Sequence, residues 1–125
     1  MIGAMESIGR LGWIQVDCAD PRVLATFWGS VFGVDIDQVL GDPAQYVNLA
    51  PISPGQLVVS FQRVPEAKTV KNRLHFDVSV GDVEAASSRI ERLGGGRITQ
   101  PDISEYGFTW RVMVDPAGNE FCLIF

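Results

Sequence analysis

The sequence predicts an α+β fold of two tandem β-α-β-β-β modules, forming a curved mixed sheet around a central cleft with helices on the outer face. Three observations carry that prediction. Asp20 and Asp82 each follow a strand-like run and precede a helix-like one. The run Trp13 to Asp20 aligns without gaps on His75 to Asp82, so one order of elements recurs at about half the chain length. After each helix come short apolar segments separated by Gly, Pro and Asp turns, the pattern of strands joined by tight connections.

Module one covers about residues 10–63. Arg10 to Cys18 reads as a strand. Asp20-Pro21 then starts a helix, with a carboxylate cap and a proline where no N–H is needed. Val23, Leu24, Phe27, Trp28, Val31 and Phe32 recur at helical spacing, and Gly33 stops the run. Val34 to Leu40, Tyr46 to Ala50 and Leu57 to Arg63 are strands, separated by Gly41-Asp42-Pro43 and Ser53-Pro54-Gly55 turns. Residues 64–72, with a proline and two lysines, read as a linker.

Module two covers about residues 73–125. Arg73 to Val80 is its first strand, and Asp82 caps a helix carrying Val83, Ala86, Ile90 and Leu93 on one side. Gly94-Gly95-Gly96 ends that helix. Arg97 to Gln100, Phe108 to Val114 and Glu120 to Phe125 are the remaining strands, the last two joined through Asp115-Pro116-Ala117-Gly118.

Composition bounds the function. At 125 residues and 46% hydrophobic, the chain suits a single domain over 1–125 with a well-buried core. A net charge of −5 argues against a nucleic-acid partner, and two cysteines against a disulfide scaffold. The longest apolar stretch, Val23 to Val34, spans 12 residues and suits a buried helix rather than a membrane span. Met1 to Arg10 lacks the basic start and apolar run of a signal peptide, so the expectation is a soluble cytoplasmic protein.

Period-two alternation sorts the two leading strands into faces. Ile14, Val16 and Cys18 oppose Trp13, Gln15 and Asp17, while Leu74, Phe76, Val78 and Val80 oppose His75, Asp77 and Ser79. The apolar faces suit packing under the helices. The polar faces must meet solvent or a cavity, because an unpaired buried polar group is costly.

The paired modules, the ending Asp115-Pro116-Ala117-Gly118-Asn119-Glu120-Phe121-Cys122 and the stretch Lys71 to Asp77 resemble the vicinal oxygen chelate superfamily. This is the glyoxalase, extradiol dioxygenase and bleomycin-resistance fold, and the two stretches look like its glyoxalase-like domain branch. The resemblance covers Gly12 to Phe125 and implies a homodimer, because relatives complete or extend the cleft between subunits. It also implies a divalent metal held by one ligand on the first and one on the last strand of each module. Those positions fall on Trp13, His75, Cys122 and a residue within Leu57 to Gln62. Aligning Gly55 on Gly118 selects Val59 there, and a register shift offers Ser60 or Gln62. An indole cannot coordinate, and a two-residue offset to Gln15 or Asp17 moves the donor by about 6.6 Å. No family-type catalytic metal and no other cofactor is therefore expected.

The expected lining is Trp13, Gln15, Gln62, His75, Asp77 and Arg111, with Cys122 at the back. Trp13 suits stacking on a planar ligand or filling space between modules. Gln15 and Gln62 suit fixing a carbonyl or amide, or are solvated surface glutamines. His75, the sole histidine, is the best catalytic candidate, since imidazole is the side chain that carries protons near neutrality. Asp77 can orient it or pair with an arginine. Arg111 shares a strand face with Thr109 and Met113, opposite Phe108, Trp110, Val112 and Val114. The face argument points it into the cleft to grip a carboxylate or phosphate, the alternative being a salt-bridged arginine. Cys18 reads as a core residue, and Cys122 as a cleft or buried structural thiol. No C-x-x-C, G-x-S-x-G, P-loop or G-x-G-x-x-G motif occurs. The expectation is a protein that binds a small aromatic or amphipathic molecule. The alternative is a metal-dependent or acid–base lyase, isomerase or dioxygenase built on His75.

Overall fold

The computed structural model describes residues 6–52 and 55–125. Ser53 and Pro54 of the expected turn, and Met1 to Met5 of the leader reading, lie outside the described residues. Strand β1 (Trp13–Cys18) leads to Asp20, whose carboxylate accepts the Val23 N–H at 3.3 Å above helix α1 (Pro21–Phe32). Gly33 closes the helix at φ 70°, a left-handed conformation that glycine adopts without a Cβ clash. Strands β2 (Ile36–Leu40), β3 (Tyr46–Leu49) and β4 (Val58–Arg63) complete module one. Module two runs β5 (Asp77–Ser79), α2 (Val83–Arg92), β6 (Gly96–Arg97), β7 (Ile103–Glu105), β8 (Phe108–Val114) and β9 (Glu120–Ile124). Asp82 caps α2 through the Ala85 N–H at 3.0 Å.

The repeat is visible in the ladders. Module one orders its strands β1-β4-β3-β2, with β1 and β4 parallel and the other pairs antiparallel. Module two orders its strands β5-β9-β8-β6, again with the first and last strands parallel. Strands β6 and β7 pair with successive parts of the same edge of β8. The sequence reading placed a single strand at Arg97 to Gln100. Pro101, which has no N–H to donate, separates the two pieces, and β7 begins two residues beyond it. The expected strand Arg73 to Val80 likewise shortens to Asp77–Ser79. Ahead of it the ladder continues only as the Cys122 N–H bonding to the Phe76 carbonyl at 2.9 Å.

One core serves both modules. Leu24, Ala25, Phe27 and Trp28 of α1 are buried with Val59 and Phe61 of β4, Ile90 of α2, Met113 of β8, and Phe121 and Leu123 of β9. The Trp28 ring meets Phe121 edge-on at 4.8 Å and Phe76 at 5.2 Å, so α1 binds the second module as well as its own sheet. No helix among the described residues is long and apolar enough to cross a membrane.

Candidate functional site

The strand registers decide what each sheet presents on the side away from the core. In module one, Gln15, Ser60, Asn48 and Gln38 stand in one row across β1, β4, β3 and β2. The Ser60 hydroxyl donates to the Asn48 carbonyl at 2.5 Å, and the Asn48 amide donates to Gln38 at 2.9 Å. This face is polar. In module two, Asp77, Cys122 and Val112 form one row, and Ser79, Ile124, Trp110 and Ile103 the next. Apart from its end residues, that face is apolar.

A hollow of about 730 Å³ lies on the module-two face, walled by Ile103, Phe108, Trp110, Val112, Cys122 and Ile124. His75, Asp77, Lys71, Glu105 and Glu120 supply its polar groups, and Tyr106 stands at the tip of the β7–β8 hairpin at φ 51°. A second groove of about 280 Å³ separates Gln15 and Asp17 of β1 from the segment 72–76 and the turn at Asp115. His75 lines both spaces.

The chain just before β5 is fixed by Asn72. Its carbonyl oxygen accepts the Glu120 N–H at 2.8 Å, and its amide donates to the Glu120 carbonyl at 3.2 Å and to the Leu74 carbonyl. The Glu120 carboxylate accepts the Asn72 N–H at 3.2 Å and Lys68 at 3.1 Å. Burial raises the Glu120 carboxyl, but its own backbone N–H, the Asn72 N–H and Lys68 together outweigh it and hold the group below the usual carboxylate range. The end of the expected linker is thus a clamp that sets where His75 projects.

The structure brings together His75, Asp77 and Cys122. The His75 Nε2 lies 3.4 Å from the Asp77 carboxylate, and Cys122 is the cross-strand partner of Asp77. Burial pushes the Cys122 thiol up, and the Asp77 charge adds to that. Gln15 and His75 both line the narrower groove. Trp13 is half exposed and lines neither space, and Gln62 belongs to a separate surface groove with Asp17, Glu66 and Lys68.

Arg111 corrects the sequence reading most sharply. It points under α2, away from the hollow, and is only 4% exposed. Its guanidinium donates to Asp102 at 2.8 and 3.0 Å, to Glu84 at 2.6 Å and to the Ser87 hydroxyl at 2.9 Å. Alternation along β8 could not decide the matter, because Trp110 and Val112 on one face are as apolar as Met113 on the other. Pairing decides it: Arg111 stands opposite Leu123 on the core side, and Val112 opposite Cys122 on the hollow side. Trp110, Phe108 and Val112, assigned from sequence to the helix side, are the missed lining residues. The usable signal was the ending Glu120-Phe121-Cys122, whose face fixes that of β8 across the hairpin.

Register also settles the position equivalent to Cys122 in module one. Gln15 pairs with Ser60 as Asp77 pairs with Cys122, so the equivalent is Ser60 and not Val59. The divalent metal that the fold family implies would then draw on Trp13, Ser60, His75 and Cys122. An indole offers no lone pair, and the Ser60 hydroxyl is buried and already spent on Asn48. A site shared by both modules in this manner does not fit these residues.

Solved structures with this fold include a fosfomycin resistance protein from Listeria monocytogenes, crystallised with Mn(II) and a dihydroxypropylphosphonic acid. It is 13% identical at TM-score 0.71, covering 95% of this chain and 90% of that one. A glyoxalase-related enzyme from Fulvimarina pelagi is 16% identical at TM-score 0.67, covering 94% and 88%. A glyoxalase/bleomycin resistance protein/dioxygenase family enzyme from Burkholderia phytofirmans is 18% identical at TM-score 0.63, covering 93% and 98%. Such identities show the fold alone. No curated protein matches the chain in sequence. The family model for the glyoxalase-like domain matches residues 13–124, and with the duplicated topology it places this chain in the glyoxalase-like family of the vicinal oxygen chelate superfamily.

Proposed function

We propose that the protein binds a small aromatic or amphipathic molecule in the hollow on the module-two sheet. The observation that carries this reading is the apolar wall of Ile103, Phe108, Trp110, Val112 and Ile124 around about 730 Å³, with a few polar groups gathered on one side. That size and that mix of apolar wall and sparse polar anchors are typical of small-molecule sites. The bound molecule stacks on Trp110 and directs a polar group toward His75 and Lys71. The sequence reading put the ligand between the modules; the larger apolar space lies beside that groove, with His75 as their shared wall.

A homodimer in the cytoplasm is part of the proposal. Phe108 is 64% and Tyr106 96% exposed at the rim of the hollow, a surface a second copy would cover. Light scattering at micromolar concentration reads twice the chain mass if this is right. An acid–base enzyme is the second reading, supported by the 3.4 Å approach of Asp77 to the His75 imidazole beside the hollow.

Thermal denaturation across a panel of aromatic acids and amphipathic antibiotics tests the binding. A true ligand at one hundred times its Kd adds about 2.7 kcal/mol of stability. The Trp110→Ala protein, compared with its own unliganded midpoint, should lose that shift. A panel without a responder, or a shift that survives Trp110→Ala, overturns the reading. Turnover of a responder, lost in His75→Ala with binding retained, selects the enzyme.

A further inference from the structure

We propose that residues 65–75 form a strap that gates the polar side of the hollow, with Glu120 as the latch that holds it closed. The two modules differ here. In module one, β1 pairs with β4 along all 6 of its residues, whereas in module two the β5 ladder with β9 covers 3, starting at Asp77. Continuing that register would set His75 against Glu120, the counterpart of Trp13 against Val58. Asn72 stands in the way. Its side chain takes both Glu120 backbone groups, accepting the N–H at 2.8 Å and donating to the carbonyl at 3.2 Å. A carboxamide offers the same donor and acceptor as a peptide group, so a ladder rung is replaced by a contact that side-chain rotation can release.

Little else holds the segment. Among the described residues, its flanking backbone bonds are Val64 N–H to the Cys18 carbonyl and Cys122 N–H to the Phe76 carbonyl. Between them, every hydrogen bond from the strap to the rest of the chain ends on Glu120. Besides the Asn72 side-chain pair, the Glu120 carboxylate accepts the Asn72 N–H at 3.2 Å and Lys68 Nζ at 3.1 Å. His75 adds only the contact with its strand neighbour Asp77. Val70 is 72% and Leu74 64% exposed, so apolar packing contributes little, and such a segment opens locally at low cost. Its place gives the opening a use. Lys71 and His75 of the strap line the hollow with Glu120, while Asn72, Arg73 and Leu74 line the narrower groove behind. Releasing Glu120 joins the two spaces and uncovers Cys122, which is buried at the hollow wall.

Thiol labelling and proteolysis read the latch without any organic ligand. The full chain is treated with N-ethylmaleimide and, separately, with trypsin, and the products are mapped by mass spectrometry. Cleavage after Lys71 is scaled to the same bond in a synthetic peptide of that variant's residues 64–77. Asn72→Ala and Glu120→Ala should each raise Cys122 labelling and Lys71 cleavage by about tenfold or more, the worth of the paired hydrogen bonds each removes. Cys18 labelling and cleavage after Arg89 and Arg92 of α2 report core unfolding and should not change. Leu74→Ala, which keeps every bond to Glu120, should match the parent. Lys68→Met, a surface change that removes only the ion pair, should raise both rates by about threefold. Unchanged Lys71 cleavage in Asn72→Ala and Glu120→Ala overturns the latch, and faster cleavage with unchanged Cys122 labelling overturns the gate. Cys18 labelling that rises in step with Cys122 in Lys68→Met overturns both, because the whole chain then opens. A gate rests on the hollow having a ligand, whereas the latch is read here without one, so failure of either is a separate result.

Discussion

The Trp28 indole N–H donates to the Asp115 carboxylate at 3.1 Å, so a buried hydrogen bond joins the helix of one module to the last turn of the other. Asp115 is buried, and its carboxylate also accepts the Ala117 N–H at 2.9 Å, the Asn119 N–H at 3.0 Å and the Asn119 amide at 3.1 Å. Asp115→Ala should cost about 3 kcal/mol, because it strands the buried indole N–H and removes charge-assisted bonds from the turn. Asn119→Ala, which leaves the indole bond in place, should cost about 1 kcal/mol. Urea unfolding midpoints check the order. Equal losses would mean that the turn, and not the link between modules, sets the stability.

The Arg111 cluster predicts a dependence on pH. Hydrogen bonds from Arg111, reinforced by its charge, hold both Asp102 and Glu84 below the ordinary carboxylate range. Groups depressed in the folded state stabilise it above their unfolded pKa, near 4, and that contribution fades as pH falls through the lower folded value. Arg111→Met should therefore be less stable than the parent at pH 7, and the gap should narrow below pH 4. A gap constant with pH would show that the arginine acts through packing alone.

Gly95 marks a place where the second module touches the first helix. A Cβ there would stand 2.7 Å from Ile90 Cγ2, 2.8 Å from the Val114 carbonyl and 3.0 Å from the Phe27 ring. Gly95→Ala should destabilise by about 2 kcal/mol, the usual cost of overpacking, because backbone cannot retreat as a flexible side chain can. Gly118→Ala meets nothing within 4 Å, so its cost comes from its positive φ of 83° alone and should be smaller. Thermal midpoints of the two variants make the comparison.

Burial, followed by the neighbouring charge of Asp20, pushes the Cys18 thiol up to about 11. Only the thiolate is nucleophilic, so at pH 8 roughly one part in a thousand of native Cys18 is reactive. Iodoacetamide labelling mapped by mass spectrometry should find Cys18 almost untouched in the native protein and modified rapidly in urea. Equal rates in both conditions would contradict the burial.

Much of the fold was legible because local chemistry specifies it. The Asp20 and Asp82 caps, Pro21 and Gly33 act over a few residues, and the structure holds each helix where they predict. The alternation of β1 survived too: Trp13, Gln15 and Asp17 are exposed while Cys18 is buried. Alternation alone puts His75 and Asp77 on one face of their strand, and Cys122 with Glu120 and Ile124 on one face of β9. Where both faces of a strand are apolar, as in β8, period two carries no information, and Arg111 was assigned to the wrong side. Gln62 and Trp13 were grouped with His75 by internal symmetry, which says nothing about whether the two modules turn their faces toward a common space.

From its own residues this chain determined a duplicated module, two capped helices and a histidine beside an aspartate on an exposed strand face. Those follow from steric and hydrogen-bonding preferences spanning a few positions. Only the tertiary structure decided that the open face of module two is an apolar hollow, that Arg111 is spent on Asp102, Glu84 and Ser87, and that Ser60 is the counterpart of Cys122. Each of those depends on the register between strands distant in sequence, which is set by burying one shared core and is encoded in no single segment.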